Sequence, residues 1–388
     1  MPTINPPYRL SVLENIVNVW SEPPRGVTVA SNSYQGNEHV NAISINLDGS
    51  VVGLCSTVNF YDQTDVGGSL VGMPALDATL DSKGNIIVGC YTANNNDRGV
   101  GSFNVLNVYG PEGGPPFISA LHAQGTAAYC GGVGVDKNDN IYASWASSTS
   151  GEFSTNFLVK LGPNGEQIWS HTLPSNRNIA FTPVGVSSNG FIAANYPLGD
   201  DSNKIGTVVF RTDGTLAWSN STMYSISRSR ARLFVFSDLS TVFVIEAATG
   251  RILWSILLGN GTSDLAQYAG VAKDSSIFVG VIRNGFTIDI YKYSSVGERL
   301  FSISINCDET GNGVGTFYGL TISGDNFVVG YNYAVNRPRT EDDIDIKFIG
   351  IATAFNCMTG GEVWTVSLGQ PYEIEGTFGG QNLLNSVG

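Results

Sequence analysis

The sequence predicts an all-β chain in which four-stranded antiparallel units repeat around an axis as the blades of a β-propeller. Three observations predict it. A glycine followed four residues later by a large aromatic recurs at Gly113/Phe117, Gly165/Trp169, Gly214/Trp218, Gly250/Trp254, Gly297/Phe301 and Gly360/Trp364. Apolar hairpins of alternating residues precede these pairs, so each repeat reads as four short strands punctuated by turn residues. No long helical periodicity separates the strands, as a parallel α/β fold would require. The glycine suits a tight turn with positive φ, and the aromatic falls on the strand that follows. One unit cannot bury such a ring alone, so successive units must stack.

Taken in order, residues 1–38 differ from the rest and are expected to form an arm, with the propeller over residues 39–388. Leu10, Leu13, Val17 and Trp20 would share one helical face, yet the same stretch could equally pair as a strand. The arm either packs on the propeller or anchors another subunit. The first hairpin, Ile43 to Val52, has a turn glycine at Gly49 but Gly53 where the ring should stand. Its missing strands can come from Gly26 to Ala30 or from Glu375 to Leu384, and the latter would join the two chain ends and remove an exposed edge. Counting this unit gives seven blades, with six or eight as alternatives.

Inner hairpins then follow at Leu76–Leu80 with Asn85–Gly89, Gly132–Asp136 with Asn140–Ser144, Pro183–Val186 with Phe191–Ala194, Gly270–Ala272 with Ile277–Gly280, and Gly319–Ile322 with Phe327–Gly330. The interval from Trp218 to Trp254 is the shortest and makes the weakest repeat.

The stretch Gly131 to Pro174 resembles the bacterial and archaeal β-propeller repeats related to quinoprotein-like propellers. The residues that carry the likeness are Val135-Asp136, Asn140-Ile141-Tyr142, Phe157-Leu158-Val159-Lys160-Leu161, and Gly165 with Trp169. The resemblance extends loosely over most of residues 40–369. It implies architecture more than activity, because such relatives are mostly non-catalytic scaffolds of surface or extracellular proteins. No cofactor-site pattern carries over, and no cofactor is expected.

Of the 388 residues, 42% are hydrophobic and only 14% charged, which supports a sizeable core and many turns. The net charge of −13 argues against broad binding to a phosphate backbone, so nucleic acid is not an expected partner. Residues Met1 to Arg9 are polar and proline-rich, unlike a secretory leader. No apolar run approaches the ~20 residues that cross a bilayer, so membrane insertion is not expected. Cys55, Cys90, Cys130, Cys307 and Cys357 are scattered and lack metal-ligand spacing, as expected of buried thiols.

Candidate chemistry is sparse. His39, His122 and His171 lie far apart, which disfavours a zinc site. No nucleophile elbow or phosphate-binding loop stands out. Asp136-Lys137-Asn138-Asp139-Asn140 superficially suggests a calcium loop, but Ile141 occupies the position that needs glycine, so turn chemistry is the better account. Asp342, Asp343 and Asp345 form a weak cation candidate against the competing account of a solvated loop. Arg228, Arg230 and Arg232 would share one face if they lay on a strand, and would then offer a site for an anionic ligand or partner unless acidic residues of a neighbouring blade pair them. Trp20 and Trp145 fall outside the repeat register and are weak candidates for stacking on glycans.

The expected function is therefore a non-enzymatic interaction module, a structural or adhesion component of a surface or extracellular assembly such as a virion. Its partner would be a protein bound through the arm or a propeller face, or a glycan. The competing expectation is an enzyme (a hydrolase, lyase or quinone-type oxidoreductase) with its site at the mouth of the central channel.

Overall fold

The computed structural model describes residues 11–12, 27–35, 38–45, 48–49, 51–57, 75–93, 101–125, 127–148, 153–173, 184–197, 205–227, 232–238, 240–259, 264–272, 274–284, 287–309, 316–340, 343–367 and 384–387. Among them there is no helix, and so none long and apolar enough to cross a membrane.

Three strands follow an initial pairing segment: β1 (Ser11–Val12), then β2 (Val27–Gln35), β3 (Glu38–Ile45) and β4 (Val51–Thr57). Next comes a unit of β5 (Ala75–Leu80), β6 (Ile86–Ala93), β7 (Gly101–Gly110) and β8 (Gly113–Gly125). The second unit is β9 (Ala127–Val135), β10 (Ile141–Ser148), β11 (Phe153–Leu161) and β12 (Gln167–Leu173). The third is β13 (Val184–Val186), β14 (Phe191–Pro197), β15 (Ile205–Arg211) and β16 (Leu216–Asn220). The fourth is β17 (Tyr224–Ser225), β18 (Leu233–Ser237), β19 (Thr241–Glu246) and β20 (Ile252–Leu257). The fifth is β21 (Asp264–Val271), β22 (Ile277–Arg283), β23 (Thr287–Tyr293) and β24 (Arg299–Asn306). The sixth is β25 (Thr316–Ser323), β26 (Asn326–Thr340), β27 (Asp343–Asn356) and β28 (Glu362–Ser367), and β29 (Leu384–Val387) ends the chain.

Each of the six units is a four-stranded antiparallel blade with its strands paired in chain order. First strands neighbour first strands of the following blade, as β5 does β9 and β21 does β25, which places them around the axis. Between the fourth and fifth blades this contact is hydrogen-bonded, the Ala269 N–H donating to the Ile226 carbonyl at 3.0 Å. The fold is thus an all-β propeller, as expected, even for the short Trp218–Trp254 repeat, whose four strands are all present.

Blade number needs correcting from seven to six. Strands β2, β3 and β4 do pair in order, and β29 adds to β2, but Leu54 of β4 lies opposite Gly113 of β8 in a parallel pairing. These strands therefore share one sheet with β5–β8 instead of standing as a separate blade. Gly53 stands four residues after Gly49, where the other turns are followed by an aromatic, so this hairpin contributes no ring of its own to a seam.

Local chemistry sets the hairpins. In the β9–β10 turn, Asp136 Oδ1 accepts the N–H groups of Asn138 at 2.8 Å and Asn140 at 3.0 Å. Asp81 does the same for Lys83 and Asn85 in the β5–β6 turn. The Tyr142 hydroxyl and the Asn140 amide take Asp136 Oδ2. This carboxylate closes a turn, and its oxygens are committed to that task.

The core lies between blades. One buried cluster joins Tyr142 and Leu158 of the second blade to Val184, Ile192 and Phe210 of the third. Another joins Phe278 and Ile290 to Phe317, Phe327 and Phe355. Burying each of these side chains stabilises by about 1.5–3 kcal/mol. Near the axis, glycine makes the taper possible. A Cβ on Gly134 of β9 would lie 2.8 Å from Val186 of β13, and one on Gly270 of β21 would lie 2.8 Å from Ile322 of β25.

Candidate functional site

The seams show what the recurrent glycine and aromatic do. Each ring lies beneath the turn of the following blade. A Cβ built on Gly250 would lie 2.9 Å from the Trp218 ring, and one on Gly297 would lie 3.1 Å from Trp254. Both glycines have positive φ, at 72° and 87°, so the turn demands glycine twice over. The indole nitrogens then fasten the seam. Trp169, Trp218 and Trp254 donate to the carbonyls of Thr212, Ala247 and Ser295 at 3.1, 2.8 and 3.0 Å. Two lysines repeat the device from the adjacent strand: Lys160 reaches Thr212 O and Lys292 reaches Cys357 O, both at 2.9 Å. Lys292 also lies over the rings of Phe278 and Phe301.

The first pair departs from the pattern. Phe117 is 57% exposed, and Ile118 instead meets the next turn, 2.6 Å from a Cβ built on Gly165. The repeat is shifted by one residue there. Gly114 stands four residues before Ile118, a spacing the sequence already carries.

Outermost strands bury one face in the seam and leave the other open. Ile168, Leu253, Leu300 and Val363 each immediately precede the seam aromatic of their strand, and all four are exposed. Phe117 occupies the corresponding place before Ile118, and Leu216, Ile252 and Leu257 add to the series. The rim of the propeller therefore presents large apolar side chains blade after blade. Pattern reading missed this feature because attention to the ring hid the residue before it.

Polar groups of the blades are largely committed to one another. In the fifth blade Arg283 donates to Asp264 at 3.0 Å, to Asp289 at 3.1 Å and to the Tyr291 hydroxyl at 2.9 Å. Its remaining donor reach goes to the Leu258 carbonyl of the preceding blade. Burial would by itself raise the pKa of Asp289, but hydrogen bonds from Ser304, Arg283 and Tyr291 hold it below the usual carboxylate range. A depressed folded-state pKa gives stability that is present above the unfolded pKa and lost as pH falls. The wild type should therefore lose thermal stability between about pH 5 and pH 3 more steeply than Asp289→Asn. Equal slopes in calorimetric scans would contradict this.

Asp81 has its pKa raised, chiefly by burial and then by nearby Asp139, which accepts the Ser82 N–H and hydroxyl across the first and second blades. Burial likewise pushes the Cys90 thiol up to about 12 and the Cys307 thiol to about 12, so both are inert protonated side chains. Cys90, Cys130, Cys307 and Cys357 are buried thiols.

The sequence candidates are dispersed. Arg232 is exposed just ahead of β18, with its carbonyl accepting the Ala247 N–H at 3.0 Å, while Arg228 and Arg230 lie outside the described residues. Asp343 and Asp345 stand on β27 opposite Thr340 and Arg337 of β26, and Asp342 lies outside the described residues. Among the described residues no group of three or more His, Cys, Asp or Glu is placed to hold a metal. Trp20 lies outside the described residues. Trp145 sits on β10, stacked on Phe157 with ring centroids 4.9 Å apart, and its buried indole nitrogen has no hydrogen-bond partner.

No family model matches this chain, and no curated protein does. Among solved structures it is similar to a protein of unknown function from Bacteroides caccae, at 10% identity and a TM-score of 0.45 over 73% of this chain and 94% of that one. The propeller assignment rests on the strand pairing of this chain itself.

Proposed function

We propose that this chain is a non-enzymatic interaction module, a structural or adhesion component of a surface assembly, which binds its partner through the rim of the propeller. One observation carries the reading: an exposed large apolar side chain directly precedes the seam residue in the first, second, fourth, fifth and sixth blades, and the third blade exposes Leu216 beside that position. Scattered exposed apolar residues need no explanation, but a series in register around one rim marks a contact surface. The commitment of Asp136, Asp81 and Arg283 to turns and seams supports the same reading, since catalysis needs polar groups free to meet a substrate. Descent of the blades from quinoprotein-type repeats belongs to this proposal and rests on residues 131–174.

The proposal includes how the ring closes. Strands β2–β4 and β29 would close the six-bladed ring between the sixth blade and the first, as a segment drawn from both chain ends that continues the sheet of β5–β8. Two observations support it. A Cβ on Gly49 would lie 2.9 Å from the Trp364 ring, repeating the seam found at Gly250 and Trp218, and β29 neighbours both β25 and β5.

A photo-crosslinking side chain placed singly at Leu300 and at Val363 tests the rim in the producing cell. One recurrent macromolecular adduct, lost when the neighbouring rim residue becomes Lys, is expected. Absence of any adduct at both positions would overturn the reading.

A further inference from the structure

We infer that the free edge of β20 is a self-pairing surface, through which two copies of this chain join their fourth blades into one continuous sheet. The inference rests on reading the rim as a contact surface and goes on to name the partner. Among the outermost strands β8, β12, β16, β20, β24 and β28, only β20 lacks every charged residue, proline, glycine, histidine and side-chain amide; it reads Ile-Leu-Trp-Ser-Ile-Leu. Natural edge strands are normally guarded by such residues against pairing with other strands. Here the only flanking charge is Arg251, which is held beside Glu246 at the turn.

The edge also presents its backbone. Among the described residues β20 is the last strand of its sheet, and Leu258 directs its N–H inward to the Ser240 carbonyl at 2.8 Å. Alternation along a strand then turns the N–H and C=O groups of Ser255 and Leu257 outward. A bulge near Leu253 leaves Trp254 to Leu258 as the straight part of the edge.

Geometry selects a second copy as the occupant. Two identical antiparallel strands related by a two-fold axis normal to the sheet must pair residues that share a face. With Ser255 opposite its own copy, Trp254 falls opposite Ile256 and Leu253 opposite Leu257, each twice. Every facing pair is apolar except the small central serines, and Arg251 lies beyond the bulge at Leu253, outside the paired stretch, so no like charges meet. The most exposed apolar residue of the strand, Leu257 at 70%, becomes covered. An edge contact of this length is small, so it should form reversibly at micromolar to millimolar protein concentration.

Sedimentation equilibrium of the purified full chain tests this. The wild type should dimerise with concentration, and the double variant Leu253→Lys/Leu257→Lys should weaken the dimer at least about tenfold. The same holds for Leu253→Glu/Leu257→Glu. Because position 253 faces 257 of the second copy, mixing the two variants should restore a dimer. A wild type that stays monomeric, or lysine and glutamate variants that self-associate like the wild type or fail to pair with each other, would overturn the inference. Circular dichroism melts of both variants check that folding is unaffected, as substitution at an exposed edge requires. Leu300 and Val363 lie on other blades, so rim adducts without dimerisation would refute this inference alone.

Discussion

Trp218→Ala should lower the free energy of unfolding by about 3 kcal/mol, the lower end of the range for removing a large aromatic from a core. The ring packs under the turn at Gly250 and against Phe236 at 5.8 Å, and its nitrogen donates to Ala247. Trp218→Phe keeps most of the packing and loses the hydrogen bond, and so should cost only about 1 kcal/mol. Urea unfolding followed by far-ultraviolet circular dichroism separates the two. Equal losses would mean that the indole hydrogen bond and not the ring holds the seam; negligible losses would mean that the seam contributes nothing.

A second large effect is expected at Gly280, in the middle of β22. Its backbone φ is ordinary, so strain does not enter; the constraint is room. A Cβ there would overlap the ring of Phe317, which is fully buried and meets Tyr268 edge to face with centroids 4.7 Å apart. Gly280→Ala should therefore cost about 1–3 kcal/mol, although alanine is normally the better strand residue. Combining it with Phe317→Leu should cost less than the sum of the two single changes, because the smaller side chain makes room for the methyl. Strict additivity in the double-mutant cycle would show that the fifth and sixth blades do not meet there.

The sequence disclosed the propeller because the glycine and the ring are held by one physical device repeated from blade to blade. Positive φ at the turn and a ring under it cannot be satisfied by many other residues, so the pattern is visible without coordinates. The same reasoning failed at Phe117, where two consecutive glycines, Gly113 and Gly114, allow either register and only packing selects Ile118. It also overcounted blades. The β3–β4 hairpin has the strand pattern of the others, but pairing of Leu54 with Gly113 is a long-range event that no local pattern encodes.

The rim was legible in principle. Ile168, Leu253, Leu300 and Val363 occupy one position of the repeat, and alternation places the residue before a buried ring on the opposite, outward face. The expected arginine cluster was less legible for the converse reason: its value depends on whether the backbone is extended, and Arg232 precedes β18 in a bend. Networks such as Arg283 with Asp264 and Asp289 join residues of three strands and leave no sequence signature.

Hydrogen exchange at the tryptophan indoles, read by nuclear magnetic resonance, tests most directly whether each ring is clamped beneath the turn of the following blade. The account predicts that the indole N–H groups of Trp169, Trp218 and Trp254 are protected, and that Gly49→Val alters the Trp364 signal while leaving those three unchanged. Exchange of those three indoles at the rate of a free indole would contradict it.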